Sequence, residues 1–128
     1  MSLALSENKI ITNLSLSHND LRYTYLETII DLLKKHHVIK KINLSDNQLD
    51  ADAAAAIAKT FPANQQIKSL DFSNNVLGDV GVAMIARYAS KLESLKHLNL
   101  KGNKITDLGT YAIEEAFEST IEPDSLIV

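Results

Sequence analysis

Apolar residues in this chain follow one figure that recurs every 28 residues. Each instance opens with alternating apolar and polar positions, at Leu14/Leu16, Ile42/Leu44, Leu70/Phe72 and Leu98/Leu100, and closes on Asn19, Asn47, Asn75 or Asn103. Beyond the asparagine the period becomes helical, with Ile29, Ile57, Ile85 and Ile113 each ten residues on. Alternation predicts a half-buried strand, and spacing by three and four predicts a helix with one apolar face. Each unit therefore reads strand, turn, helix. A crossover helix returns the chain to the same end before the next strand, so the strands run parallel, about 4.8 Å apart. Units of this size cannot bury an apolar face alone and share one core with their neighbours. The fold class is α/β: a right-handed solenoid with strands on the concave side and helices on the convex side.

The units fall at 11–38, 39–66, 67–94 and 95–122 without gap or insertion, in one domain covering 11–128. Residues 1–10 read as an N-terminal cap or the remnant of a preceding repeat, with Leu3 and Ile10 as anchors. Adding 28 to Leu98 and Leu100 reaches Leu126 and Val128, so 123–128 form a truncated fifth strand. It opens on Pro123, a residue tolerated at a strand start or edge. The outer edge of that strand is unpaired and invites a further chain. A homodimer through Leu126–Val128 and descent from a longer repeat protein are both left open.

The residue types at the turns point to structure. Asn19, Asn47, Asn75 and Asn103 are expected to bond main-chain groups of their own repeat and of the next, since unpaired buried groups cost about 1–3 kcal/mol each. Asp50, Asp79 and Asp107 precede the helices, where a carboxylate accepts bonds from free amide groups and opposes the helix dipole. Ala53, Gly81 and Gly109 share a slot that lets helix and strand approach closely, and Tyr25 marks the first repeat as distorted or adapted to an end.

The form LxxLxLxxNxL followed by a full helix, with Leu77-Gly78-Asp79-Val80-Gly81 and Ile105-Thr106-Asp107-Leu108-Gly109, resembles the ribonuclease-inhibitor-like class of leucine-rich repeats. The resemblance covers residues 11 to about 128. It implies partner binding through the concave wall, the property shared by members as different as nuclease inhibitors, activators of small GTPases, actin-capping tropomodulins, innate immune sensors and bacterial effectors. Four full repeats give this chain only a short arc.

Residues flanking the buried strand positions face the concave side. One row is Asn13, Lys41, Ser69 and His97; the next is Ser15, Asn43, Asp71 and Asn99; the last is Ser17, Ser45, Ser73 and Lys101. Lys40, Lys68 and Lys96 line the strand entrances. The candidate protein-binding residues are Asn13, Ser15, Lys41, Asn43, Ser69, Asp71, His97, Asn99 and Lys101. Ser69 beside His97 suggests a nucleophile and base, yet Asp71 lies diagonal to the imidazole, and an open wall supplies neither an oxyanion site nor exclusion of water.

Composition narrows the field further. The chain has no cysteine, which removes disulfides and thiolate sites and favours a reducing compartment or a bacterial origin. A net charge of −3 gives no reason to expect nucleic acid, and no run approaches the roughly 20 apolar residues of a membrane helix. Its four histidines do not converge in a metal-ligand pattern, so no metal and no cofactor is expected. The expectation is a non-enzymatic protein-binding module, cytoplasmic or, as a bacterial effector, delivered into a host cell. The alternatives are a small-GTPase regulator, with Arg22 as the contacting arginine, and a solenoid that self-associates through its last strand.

Overall fold

The computed structural model describes residues 12–17, 26–35, 38–118 and 125–128. Asn19, Arg22, Tyr25, Pro123 and the 1–10 segment lie outside the described residues. Five three-residue strands, β1 (Asn13–Ser15), β2 (Lys41–Asn43), β3 (Ser69–Asp71), β4 (His97–Asn99) and β5 (Ser125–Ile127), form one parallel sheet in sequence order. Between them stand α1 (Leu26–Lys35), α2 (Ala51–Ala58), α3 (Gly78–Ala89) and α4 (Asp107–Phe117), with a short 3-10 turn at Phe61–Ala63. This is the leucine-rich α/β solenoid that the periodicity predicts.

Register follows the repeat length. Leu14, Ile42, Leu70, Leu98 and Leu126 pair in one line across the sheet, and Ser15, Asn43, Asp71, Asn99 and Ile127 in the next. A slip of one residue would turn the leucines into solvent, so the apolar alternation holds the register. Leu14, Ile42, Leu70 and Leu98 and the four helix isoleucines, Ile29 to Ile113, are buried in one continuous core, against which Leu126 packs half-buried. Phe61 and Phe72 pack tilted with ring centroids 6.4 Å apart, both without exposure. Full burial of such a side chain stabilises the fold by roughly 1.5–3 kcal/mol.

The turns are held by the asparagines. Asn75 Nδ2 donates to the carbonyls of Phe72 and Ser73 in its own turn and of Leu44 one repeat earlier. Its Oδ1 accepts from the amides of Asn47 and Leu49, at 2.9 and 3.0 Å. Asn103 repeats the scheme on Phe72, Leu100, Asn75 and Leu77. Asn47 Nδ2 reaches Leu16, Leu44 and Ser45. Each side chain thus joins its own turn to the preceding repeat, whereas the sequence reading pointed to the next one.

The helix starts also differ from the sequence reading. Asp50 does cap α2, accepting from the Ala53 amide at 2.9 Å. In α4 the cap is Thr106 rather than Asp107. Asp79 sits inside the first turn of α3 and serves α4, accepting from the Thr106 amide at 2.8 Å, the Thr106 hydroxyl and the Gly109 amide. Those bonds, that of the Thr106 hydroxyl first, hold its carboxyl below the ordinary carboxylate value. The small-residue slot accordingly serves approach between helices. A Cβ on Gly109 would strike Asp79 and Ile105 and lie 3.2 Å from Val82, and one on Gly81 would lie 3.3 Å from Ala51.

Candidate functional site

The concave wall is built by the short strands and the turns that leave them. Asn13, Lys41 and His97 are exposed and Ser69 is half-buried, all in one paired line. Beside it Ser15 is exposed, while Asn43, Asp71 and Asn99 are half-buried. Residues 13–15, 41–43, 69 and 71 enclose a shallow hollow of about 260 Å³. Lys40 and Lys68 are exposed at the strand entrances.

Three members of the second line are fixed by their own turns. Asn43 Oδ1 accepts from the Ser45 amide and hydroxyl at 3.0 and 2.8 Å. Asp71 Oδ1 does the same with Ser73, at 2.9 and 2.7 Å, and Asn99 Oδ1 accepts from the Lys101 amide at 3.1 Å. An amide whose oxygen accepts in this way has its NH2 on the other side, so the line presents donor, acceptor, donor along Asn43, Asp71 and Asn99. Because the strands repeat at about 4.8 Å, that pattern has a fixed pitch.

The third line of the wall is open mainly at Lys101. Ser45 and Ser73 are only 8% exposed, their hydroxyls turned onto Asn43 and Asp71, and only Lys101 in that line is exposed. The sequence spacing alone could not separate these serines from the wall, but an Asn or Asp two residues before a Ser is a recognisable turn signal. The same bonds bear on the Ser69 and His97 pair. They are neighbours in the sheet, and Asp71 Oδ1 is engaged by the amide and hydroxyl of Ser73 in its own turn. Among the described residues no three His, Asp or Glu side chains gather where a metal ion could be held.

A family model described as Leucine Rich repeat matches residues 35–58, 63–86 and 91–113, more than half of the chain. The chain belongs to the leucine-rich repeat family. No curated protein matches it in sequence. Among solved structures, the C-terminal domain of tropomodulin from Caenorhabditis elegans is similar to this leucine-rich repeat chain with a TM-score of 0.81 at 13% identity, over 99% of this chain and 79% of that one. Leiomodin-1 Actin-Binding Site 2 is similar with a TM-score of 0.86 at 20% identity, over 98% of this chain and 75% of that one. At such identities the likeness is one of fold. Within the described residues of this leucine-rich repeat chain, no helix is long and apolar enough to cross a membrane.

Proposed function

We propose that this chain is a non-enzymatic protein-interaction module that docks a partner protein through its concave strand wall, with Asn13, Ser15, Lys41, Asn43, Ser69, Asp71, His97, Asn99 and Lys101 as contact residues. The observation that carries the reading is the donor, acceptor, donor line of Asn43, Asp71 and Asn99, whose side chains are anchored to their turns. Side chains already ordered lose little freedom on binding, so the wall is organised before a partner arrives. Among its described residues it holds no aromatic anchor, and binding energy usually concentrates on Trp, Tyr and Arg, so the affinity of this face alone is modest.

The finer placement is in the ribonuclease-inhibitor-like class, supported by the 28-residue repeat with a full helix in each unit. A cytoplasmic site of action, or delivery into a host cell as a bacterial effector, accords with the absence of cysteine. Leiomodin-1 carries an actin-binding site on the same fold, which makes actin one purified candidate to test, beside small GTPases. The test is quantitative affinity capture with the wild-type chain and with an Asp71→Arg, Asn99→Arg variant. Partners captured by the wild type and lost from the variant support the wall as the docking surface. Unchanged capture removes it, and accelerated GTP hydrolysis by an added GTPase would favour a catalytic regulator instead.

A second reading has its own observation. β5 pairs with β4 along one edge, and Ile127 and Val128 are 44% and 51% exposed beside the other. Self-association through Leu126–Val128 would cover them. Light scattering over a range of concentrations, with and without residues 124–128, separates the two readings, since a monomer in both cases ends this one.

A further inference from the structure

The outer flank of α4 has a chemistry unlike the equivalent flank of its neighbour. In α3 the residues beside α4 are small or apolar: Val82 and Ala86 are fully buried and Ala83 is half-buried. In α2 the same slots are Ala54 and Ala58, also fully buried, beneath α3. Moving on 28 residues, α4 carries Thr110, Tyr111 and Glu114 in these slots, and Glu118 follows where α3 is followed by Ser90. Tyr111 is 65% exposed, and Glu114 and Glu118 are exposed. Together with Glu115 they line an open recess of about 420 Å³. Leu108, 75% exposed, takes the slot of Val80, which stays 69% exposed although α4 packs on α3, so it lies off this flank.

A helix laid on this flank as α4 lies on α3 would cover the slot where Ala86 loses all exposure. There it would meet the Glu114 carboxylate. Burying a carboxylate without a partner is strongly unfavourable, so a helix of the repeat's own small and apolar kind does not fit. One that brings cations to Glu114 and Glu118 does, since α4 itself offers no lysine or arginine, whereas Glu115 also shares a groove with Arg87 and Lys91 on the α3 side. Tyr111 adds an aromatic face on which an apolar or cationic side chain can rest, in the middle of the recess, where binding energy concentrates.

We propose that the outer flank of α4, centred on Tyr111 and Glu114, docks a basic amphipathic helix from a partner protein. The occupant places an apolar side chain on Tyr111 and lysines or arginines on Glu114 and Glu118. This surface lies on the helix layer, away from the strand wall, so it holds whether or not the wall docks a partner. The two together would let one chain engage two segments at once, with avidity beyond that of either.

The test uses a synthetic amphipathic peptide of roughly 18 residues, five helical turns, with a leucine stripe flanked by lysines. It is titrated into the isotope-labelled full chain while amide resonances report both binding and fold. The expected result is saturable binding with shifts centred on residues 108–118, weakened about tenfold by Glu114→Lys with Glu118→Lys and similarly by Tyr111→Ala. The control double variant Asp52→Lys with Glu93→Lys makes the same change in net charge at exposed sites elsewhere and is expected to bind as the wild type does. Equal weakening by both double variants would reduce the effect to overall charge and overturn the proposal. So would absence of binding at about 1 mM peptide, or shifts centred on the strands. A wild-type chain that dimerises alone and loses that behaviour with Glu114→Lys would assign the flank to a second copy instead.

Discussion

Asn75 is the residue on which two repeats depend. Replacing it with alanine leaves the amides of Asn47 and Leu49 without their side-chain acceptor and removes one of the two donors to each of the carbonyls of Leu44, Phe72 and Ser73. With each unpaired buried group costing about 1–3 kcal/mol, Asn75→Ala is expected to lower stability by at least about 2 kcal/mol in urea unfolding. A loss below about 1 kcal/mol would mean that water replaces the amide, and the ladder would then carry little. Gly78 supports a second expectation. Gln48 and Lys104 take left-handed conformations with φ of 56° and 57°, but the same slot in the third repeat is Val76. A β-branched residue resists that region, and the left-handed conformation moves to Gly78, at φ 65°. A Cβ there meets nothing within 4 Å, so Gly78→Ala tests the backbone alone. It is expected to cost about 1–2 kcal/mol. A stabilising change, as for alanine inside a helix, would contradict that conformation. The asparagine column stood out in the sequence because a polar residue recurred among apolar ones. Its direction did not, since a repeat looks the same toward either neighbour.

At the scale of elements, α3 and α4 are joined at their starts by Asp79, a carboxylate from one helix that satisfies the amides opening the next. Its carboxyl titrates below the ordinary carboxylate value, because the Thr106 hydroxyl and the Thr106 and Gly109 amides favour the charged form. The sign follows from linkage. A group with a depressed folded value contributes stability that is present above its unfolded value and is lost as pH falls through the folded one. Asp79→Asn is therefore expected to lower the melting temperature at neutral pH, with the deficit shrinking as the pH falls through the acid range. A deficit independent of pH would show that the carboxylate charge is not what joins the helices. The acidic residues near the helix starts were legible in sequence. The helix each one serves was not, because that depends on how far one repeat is offset against the next. Gly109 held the clue, since a glycine in a helix interior marks a close approach.

For the whole molecule, stability is a sum of repeat and neighbour terms, and the 28-residue period already specified the sheet order, the register and the core. The period could not tell which polar positions beside the strands face a partner. Ser45 and Ser73 share the alternation of exposed residues and yet are turned inward by bonds to Asn43 and Asp71. Nor does a repeating pattern reveal its own departures unless each column is compared, as where Ala58 and Ala86 give way to Glu114. The wall itself is a flat array of short polar side chains, and its role rests on geometry. The most direct test places a photo-crosslinking amino acid at Ser69, in the centre of the wall, and in a second variant at Lys59, exposed after α2 on the helix side. Docking on the concave wall predicts a covalent adduct with a captured partner from position 69 and none from position 59. An adduct from position 59 alone would contradict it.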